Sequence, residues 1–583
     1  MRKKDTRQDQ AMLPGFDPPV VESAPSGDMD RALKLTEEQL AITTRVQLGT
    51  EHLLVEALAG SGKTSTIIES LKATTAKKVL LCAFNKANRA ALEAKMPKPP
   101  RGRVQRARTA HALGYSILKA HGCPGDMDLP ATEMLVHDVA NAIEAVITAD
   151  RIQAGNDDVP IEKWVPWFPV AFVEGTGTAV IPPKVRRSAT TLLRRLKETC
   201  IERDVGEDAI EILGHEIDAF ARIDWIDVPL VCTIVRLAYL SGMRLDRAAI
   251  DYCDQVWLPM VLDLEPRMRF DLIFVDEAQD FSKPQFALVQ RMKTDDGRLV
   301  VVGDLCQSVY GWRGAVGDEV WATMLAAEAV RMPLTVSFRC ARAIVEEANG
   351  IVEALKPCPG APEGQVRSCS FMQFLKELSS TRVSCFVISR NNASLFQTAV
   401  QLWRQKERFR YQKSEETASG LRAIIEKLDL SNAERFSATL DEWYSTEREL
   451  AEERSEVWAD RLDQQYEMLG AMLQHAEPRN LVRVLDDIFS PKDSQVTLST
   501  VHGVKGFEAD RVYLLQQTFA RHQERSILDG DPSIPQEELN LEYVAITRAR
   551  RELVWVDLSD LKTLKAQRRL SNASKKLSGA SPG

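Results

Sequence analysis

Lys63 and Thr64 end the glycine-rich run EALAGSGKTST, and Asp276 and Glu277 end the apolar run FDLIFVDEAQD. The first run has the spacing of a phosphate cradle, Gly60-Ser61-Gly62-Lys63-Thr64-Ser65. Glycines let backbone N–H groups approach phosphate oxygens, the lysine brings positive charge to the outer phosphates, and the threonine hydroxyl can ligate a divalent cation. The strict pattern opens on glycine, whereas this chain has Ala57. In the second run Asp276 is placed to hold Mg²⁺, and Glu277 to orient and deprotonate a water. Together the two runs describe a nucleoside triphosphatase, with ATP as expected substrate and Mg²⁺ as expected cofactor. A third run, GDLCQSVYGWRGA, sets Gln307, Tyr310, Trp312 and Arg313 within a few residues of loop, just beyond the β-branched RLVVVGD.

These groups need strands to carry them. Apolar runs recur as HLLVEAL, KKVLLCAF, FDLIFVDE, GRLVVVGD, PLTVSF, VSCFVIS, QVTLSTV, DRVYLLQ and RELVWVDL. Several lack polar alternation, as strands buried on both faces do. Helical patterns such as KTSTIIESLKA and ARAIVEEANGIVEAL separate them, which predicts an α/β fold with parallel sheets in two lobes. Mainly helical insertions interrupt each lobe, with RRSATTLLRRLKETC and DRAAIDYCDQVW in the first and the charged STERELAEERSEVWADRLDQQYEML in the second. The expected divisions are a disordered tail over 1–33, a first lobe over 34–114 and 266–336, and its insertion over 115–265. A second lobe over 337–413 and 491–562, its insertion over 414–490 and a flexible tail over 563–583 complete the chain.

The ordered set LTEEQLAI, AGSGKT, CAFNKANRAAL, TAHALG, VDEAQD, GDLCQSVYGWRGA, LTVSFR, TLSTVHGVKGFEADRVYLL and LEYVAITRARRELVWV resembles the UvrD/Rep/PcrA group of superfamily 1 DNA helicases. The resemblance implies two RecA-like lobes with the nucleotide between them. It gives Gln39 the adenine edge, Phe338 (usually tyrosine) the adenine face, Glu508 the ribose and Gln307 the γ-phosphate. Arg339 and Arg548 would act as arginine fingers from the second lobe. It also implies DNA contacts at Phe84, Asn85, Thr109, His111, Tyr310, Trp312, Arg313, His502 and Lys505, with Gly503-Val504 standing where the group usually has Ser-Ala. Trp312 would stack on a base and Arg313 take a phosphate. For Tyr310 and Trp312 the alternative is core anchoring, and for His111 a core or capping role. The basic run RGRVQRARTAH suits phosphates or a solvated face.

The implied activity is ATP-driven movement on single-stranded DNA, 3′ to 5′, with unwinding at single-strand/duplex junctions in repair, recombination or replication. The second insertion is much shorter than the group's regulatory subdomain, which motivates the alternative of a protein-displacing translocase that unwinds weakly. A motor or sensor subunit of a defence or nuclease complex is a further alternative. Trp164 and Trp167 read as anchors of a helical subdomain, with a strand-separating wedge as the other reading. Gln10 to Phe16, QAMLPGF, resembles peptides that bind bacterial sliding clamps. Ten scattered cysteines with no C-x-x-C pair argue against a zinc site and for a cytoplasmic, reducing setting. No apolar run reaches membrane-spanning length, so no membrane partner is expected. A net charge of −8 leaves room for a local basic groove.

Overall fold

The computed structural model describes residues 35–127, 130–153, 171–172, 178–220, 223–309, 317–381, 383–412, 415–428, 433–452, 456–490, 494–522 and 535–559. Two six-stranded parallel sheets dominate it, each the centre of a RecA-like lobe. In the first lobe the strands are β1 (Leu53–Ala57), β2 (Lys78–Ala83), β3 (Val104–Thr109), β4 (Phe270–Asp276), β5 (Lys293–Gly303) and β6 (Val330–Leu334). They lie in the order β3-β2-β4-β5-β1-β6. Central strands such as LLVEA and KVLLCA are buried almost throughout, as expected where helices cover both faces.

Because the ladders are parallel, every strand's C-terminal end reaches the same edge. Register then sets the chemistry: Asp276 lies level with Val302, and Gly303 lies level with Glu56. The ends of β4, β5 and β1 are thereby neighbours, and the acidic pair faces the glycine-rich loop.

The second lobe is built from β7 (Gln365–Ser370), β8 (Cys385–Ser389), β9 (Arg410–Tyr411), β10 (Val496–Thr500), β11 (Ala509–Leu515) and β12 (Ala549–Asp557). Their order is β7-β12-β11-β8-β10-β9. Ala509 pairs with Ala549, so Glu508 and Arg548 sit side by side at one edge.

Helices between Ala110 and Val261 form the first insertion. Leu192, Val231 and Trp257 of these helices share one apolar cluster with Leu80, Ile273 and Val301 of the first sheet. Inside it Lys197, 1% exposed, pairs with Asp254 at 2.8 Å. The second insertion holds helices Glu415–Lys427, Ala433–Glu452, Glu456–Leu473 and Leu481–Phe489. Their Leu421, Ile425, Met472 and Ile488 join Val387, Phe396 and Val400 of the second lobe in one cluster.

Two helical expectations need correction, and one strand was not expected. RGRVQRARTAH contains the edge strand β3, which pairs with β2 from Lys78↔Val104 to Ala83↔Thr109. Its arginines hid the strand pattern; Arg103 in fact donates to the carbonyls of Leu71 and Thr74 at a helix C-terminus, satisfying orphan acceptors. The helix read over DRAAIDYCDQVW begins only at Asp254. Asp251 accepts the Asp254 N–H at 3.1 Å and Asp254 accepts the Asp251 N–H at 3.0 Å, so these residues bond to each other in the turn before the helix. The helix in ARAIVEEANGIVEAL ends at Asn349, before Gly350.

Candidate active site

After β1 the chain turns through Gly60 and Gly62, with φ of +71° and +82°, left-handed values that cost glycine little. Space demands glycine too. A Cβ on Gly60 would stand 2.7 Å from the Arg339 Cβ, and one on Gly62 would stand 2.9 Å from the Gln39 Nε2. Helix Lys63–Ala73 follows with no side-chain cap at its N-terminus, so its first N–H groups are left for an anion. The Ser61 hydroxyl is buried there without a hydrogen-bond partner. Thr64 is half-buried at the first turn and Ser65 is exposed. These features fit a nucleotide's phosphates.

The Lys63 Nζ stands 3.2 Å from the Glu277 Oε2. Burial works to lower the lysine's pKa; Glu277, Asp304 and Asp276 outweigh it and hold it above its ordinary value. Burial likewise works to raise the Glu277 carboxyl, but Lys63 and Lys505 hold it down to about 2. Asp276 moves the other way, up to about 7, through burial and then the charge of Glu277. Lys63 and Lys505 thus keep Glu277 ionised, and a cation beside Asp276 would favour its ionised form in turn. Glu277 occupies φ +55°, ψ +46°, strain of about 1–3 kcal/mol that marks functional positions in folded proteins. Gln279 fixes it: its amide N–H donates to the Glu277 Oε2 at 2.6 Å, while its carbonyl accepts the Asp304 N–H at 3.0 Å.

A cation here would have the oxygens of Asp276 and Thr64. Among the described residues no cluster of three histidine, cysteine or acidic side chains could hold a metal. A site with so few protein oxygens fits Mg²⁺, which keeps waters and takes phosphate oxygens as ligands.

The second lobe closes the site. Arg339 pairs with Glu508 and donates to the Thr547 carbonyl at 3.3 Å. Arg550 donates to the same Glu508 at 3.0 Å. Against the raising effect of burial, Arg339 and Arg550 hold the Glu508 carboxyl below its ordinary value. Arg548, 1% exposed, donates to the Gln307 Oε1 at 3.3 Å and to the Val544 carbonyl at 2.9 Å. Burial, then the charge of Arg339, lowers its pKa to about 9. Gln307 donates to Asp304 at 2.6 Å. Phe338 is 44% exposed beside Gly62, with a face open to a base. Gln39 is buried; its Oε1 accepts the Thr36 N–H at 3.1 Å and its Nε2 donates to Thr66 at 3.3 Å. The residues expected at the nucleotide are thus brought together.

The residues expected at DNA are more scattered. Thr109 caps helix Ala110–Ala120, accepting the Ala112 N–H at 3.3 Å, and Asn85 caps helix Lys86–Lys95, accepting the Asn88 N–H at 2.8 Å. Phe84 packs on Phe281 with centroids 6.0 Å apart. His111 is buried and stacks on Tyr252 at 3.6 Å, its Nδ1 without a hydrogen-bond partner. Burial, then Lys86, lowers its pKa to about 3. Tyr252 keeps a 48% exposed face. His502 is half-buried. Lys505 reaches across to the first lobe, to Asp280 at 2.6 Å and the Gln307 carbonyl at 2.7 Å. Tyr310, Trp312 and Arg313 lie outside the described residues, as do Trp164, Trp167 and residues 10–16. The chain enters the 310–316 segment from the buried Val309 and leaves it at Gly317.

Sequence reasoning missed Gln279, Asp280, Tyr252, Asn540 and Tyr543. Gln279 and Asp280 stood in the DEAQD run beside the residues chosen, and Tyr543 in the LEYVAITRARRELVWV run; Tyr252 and Asn540 had no local signal.

Two family descriptions match the chain. UvrD/REP helicase N-terminal domain covers residues 35–321, and UvrD-like helicase C-terminal domain covers residues 182–558. The F-box DNA helicase protein 1 of Schizosaccharomyces pombe is 25% identical over 552 residues, 90% of this chain and 57% of that protein. The DNA helicase II of Escherichia coli is 36% identical over 104 residues, 17% of this chain and 14% of that protein. The ATP-dependent DNA helicase PcrA of Staphylococcus aureus is 36% identical over 86 residues, 15% of this chain and 12% of that protein. The chain therefore spans little more than half of the yeast protein. Among the described residues no helix is long and apolar enough to cross a membrane. With phosphate loop, acidic pair and cross-lobe arginines in place, and with the two matches together running from residue 35 to residue 558, the chain belongs to the UvrD-like helicase family.

Proposed function

We propose that the protein is an ATP-hydrolysing motor that moves 3′ to 5′ on single-stranded DNA and opens duplex at junctions. The observation that carries this reading is the convergence of Lys63, Glu277, Gln307, Arg339 and Arg548 at one point between two lobes. Lys63 and the loop N–H groups bind the phosphates, and Glu277 takes the proton of the attacking water. Arg548 and Arg339 answer the charge that develops on the transferring group. Mg²⁺, held by Thr64 and Asp276, neutralises phosphate charge when bound. Phe338 stacks on the adenine, with Gln39 at its edge and Glu508 at the ribose.

DNA is contacted by Tyr310, Trp312 and Arg313, by the Tyr252–His111 stack and by the Phe84–Asn85 segment. An exposed aromatic face is worth about 1–3 kcal/mol per stacked base. Because Gln307 touches both Asp304 and Arg548, a change at the nucleotide is felt at the Gln307 turn, three residues before Tyr310 in sequence.

Steady-state ATP hydrolysis with and without a single-stranded oligomer tests the reading. Stimulation that Trp312→Ala weakens supports it; hydrolysis with no stimulation overturns it. Directional displacement of streptavidin from one end or the other reads polarity. A second reading, a protein-displacing translocase with weak unwinding, is favoured by the short second insertion, whose helices are absorbed into the lobe core. Failure of the isolated protein to open a forked duplex while still displacing streptavidin selects it. Deleting residues 1–20 tests the clamp peptide by loss of clamp binding, and cell fractionation tests the cytoplasmic location.

A further inference from the structure

Helix Gln536–Ile546 of the second lobe touches two different loops of the first through one face. The Tyr543 hydroxyl accepts the Ala59 N–H of the phosphate loop at 3.1 Å. One turn earlier the Asn540 Nδ2 donates to the Leu305 carbonyl at 3.2 Å and to the Ser308 carbonyl at 3.1 Å. Residues three apart share a helix face, so the two contacts are rigidly linked. Both side chains are buried, Tyr543 fully and Asn540 to 7% exposure. Leu305 and Ser308 bracket Gln307, and the 310–316 segment begins two residues later. The proposed roles of Gln307, Arg548 and Lys505 do not require either contact.

We propose that Asn540 and Tyr543 are positioning residues that form a mechanical relay. Tyr543 senses where the phosphate loop stands, the helix carries that displacement, and Asn540 sets the turn Leu305–Ser308 that holds Gln307. The relay rests on the proposed motor function and adds a second route from nucleotide to DNA. Burial, chiefly, raises the phenol's pKa; the acceptor role rests on the geometry, with the hydroxyl oxygen 3.1 Å from the Ala59 nitrogen. Asn540 spends its donor on two carbonyls at once, so an acid of the same shape cannot replace it.

The test uses the full chain as Tyr543→Phe, Asn540→Asp and the double variant, each checked for a cooperative melt. The first readout is hydrogen exchange of residues 303–309 with and without a non-hydrolysable ATP analogue and Mg²⁺. Nucleotide slows exchange there in the unaltered protein, and either substitution abolishes the slowing. The second readout is the ratio of DNA-stimulated to basal kcat, separately from KM for ATP. Each single substitution lowers the ratio about fivefold or more, the range of typical coupling between sites. The double variant falls no further than the lower single, because both break one chain of contacts.

Variants that keep both the exchange pattern and the ratio overturn the relay, as do losses that multiply in the double variant. Asn540→Gln restores the donor and recovers part of the ratio; a merely structural role gives no such split between Gln and Asp. If the unaltered protein is not stimulated by DNA, the motor reading falls, while the exchange experiment still decides the relay.

Discussion

Replacing Glu277 with glutamine exchanges a carboxylate for an amide of the same shape, at a residue whose backbone is already held in a strained turn. The Oε2 position is occupied twice, by Lys63 at 3.2 Å and by Gln279 at 2.6 Å. An amide oxygen placed there keeps both bonds. The amide nitrogen then takes the Oε1 position and donates where the carboxylate accepted, so it cannot take a proton from water. General-base catalysis contributes about 10²- to 10⁴-fold, a barrier increase of roughly 3–5 kcal/mol. Binding survives, since removing a negative charge beside the phosphate loop does not oppose an anion. The assay is single-turnover ATP hydrolysis by rapid quench at saturating single-stranded DNA, with nucleotide affinity measured separately by a fluorescent analogue. A chemical step slowed by less than about tenfold would refute the assignment and move the base elsewhere. A lost affinity would mean that Glu277 shapes the phosphate loop instead.

Arg548→Lys keeps a charge but loses the planar fork that reaches Gln307, Val544 and Phe507; the single-turnover rate drops about 10³-fold, as for other arginine fingers, with nucleotide affinity little altered. Lys505→Met strands the buried Asp280 without its cross-lobe cation, and denaturant unfolding shows a loss of about 3–5 kcal/mol that adding Asp280→Asn largely restores. His111 has a pKa depressed from 6.5 to about 3, so it stays neutral in the fold while the unfolded chain takes up a proton. Its contribution is fully present above pH 6.5 and is lost as pH falls toward 3; His111→Asn flattens that fall by about 1.4 kcal/mol per pH unit, read from unfolding between pH 7 and pH 5.

The nucleotide site was legible because its parts are local. Glycines, a lysine and a threonine follow a strand; two carboxylates end another; parallel pairing brings their ends to one edge. The buried strands announced themselves by apolar runs. The edge strand β3 did not, since VQRART carries polar residues that an edge tolerates and a central strand does not. The start of helix Asp254–Val261 was misjudged because its reciprocally bonded aspartates, Asp251 and Asp254, look like two surface acids in a helical pattern. The contacts of Asn540 and Tyr543 were invisible for a different reason. Their partners lie 235 and 484 residues away, and no periodicity links an asparagine to two carbonyls on another lobe.

The absorption of both insertions into the cores of their lobes has a mechanical consequence. A subdomain that borrows its apolar filling from a sheet cannot swing on that sheet without opening a cavity, which costs tens of calories per Å³. Leu192 and Val231 are held to Leu80 and Val301, and Met472 and Ile488 to Phe396 and Val400, within continuous packing. Among the described residues each insertion is therefore tied to the sheet whose core it shares. The lobes meet at a seam where Lys505, Arg548, Asn540 and Tyr543 bond to the first lobe and where Ala59 and Val309 of the first lobe share an apolar cluster with Ile344, Val345 and Val544 of the second. In engineering terms the helical insertions are outriggers bolted to the two halves, each extending its lobe from a shared core.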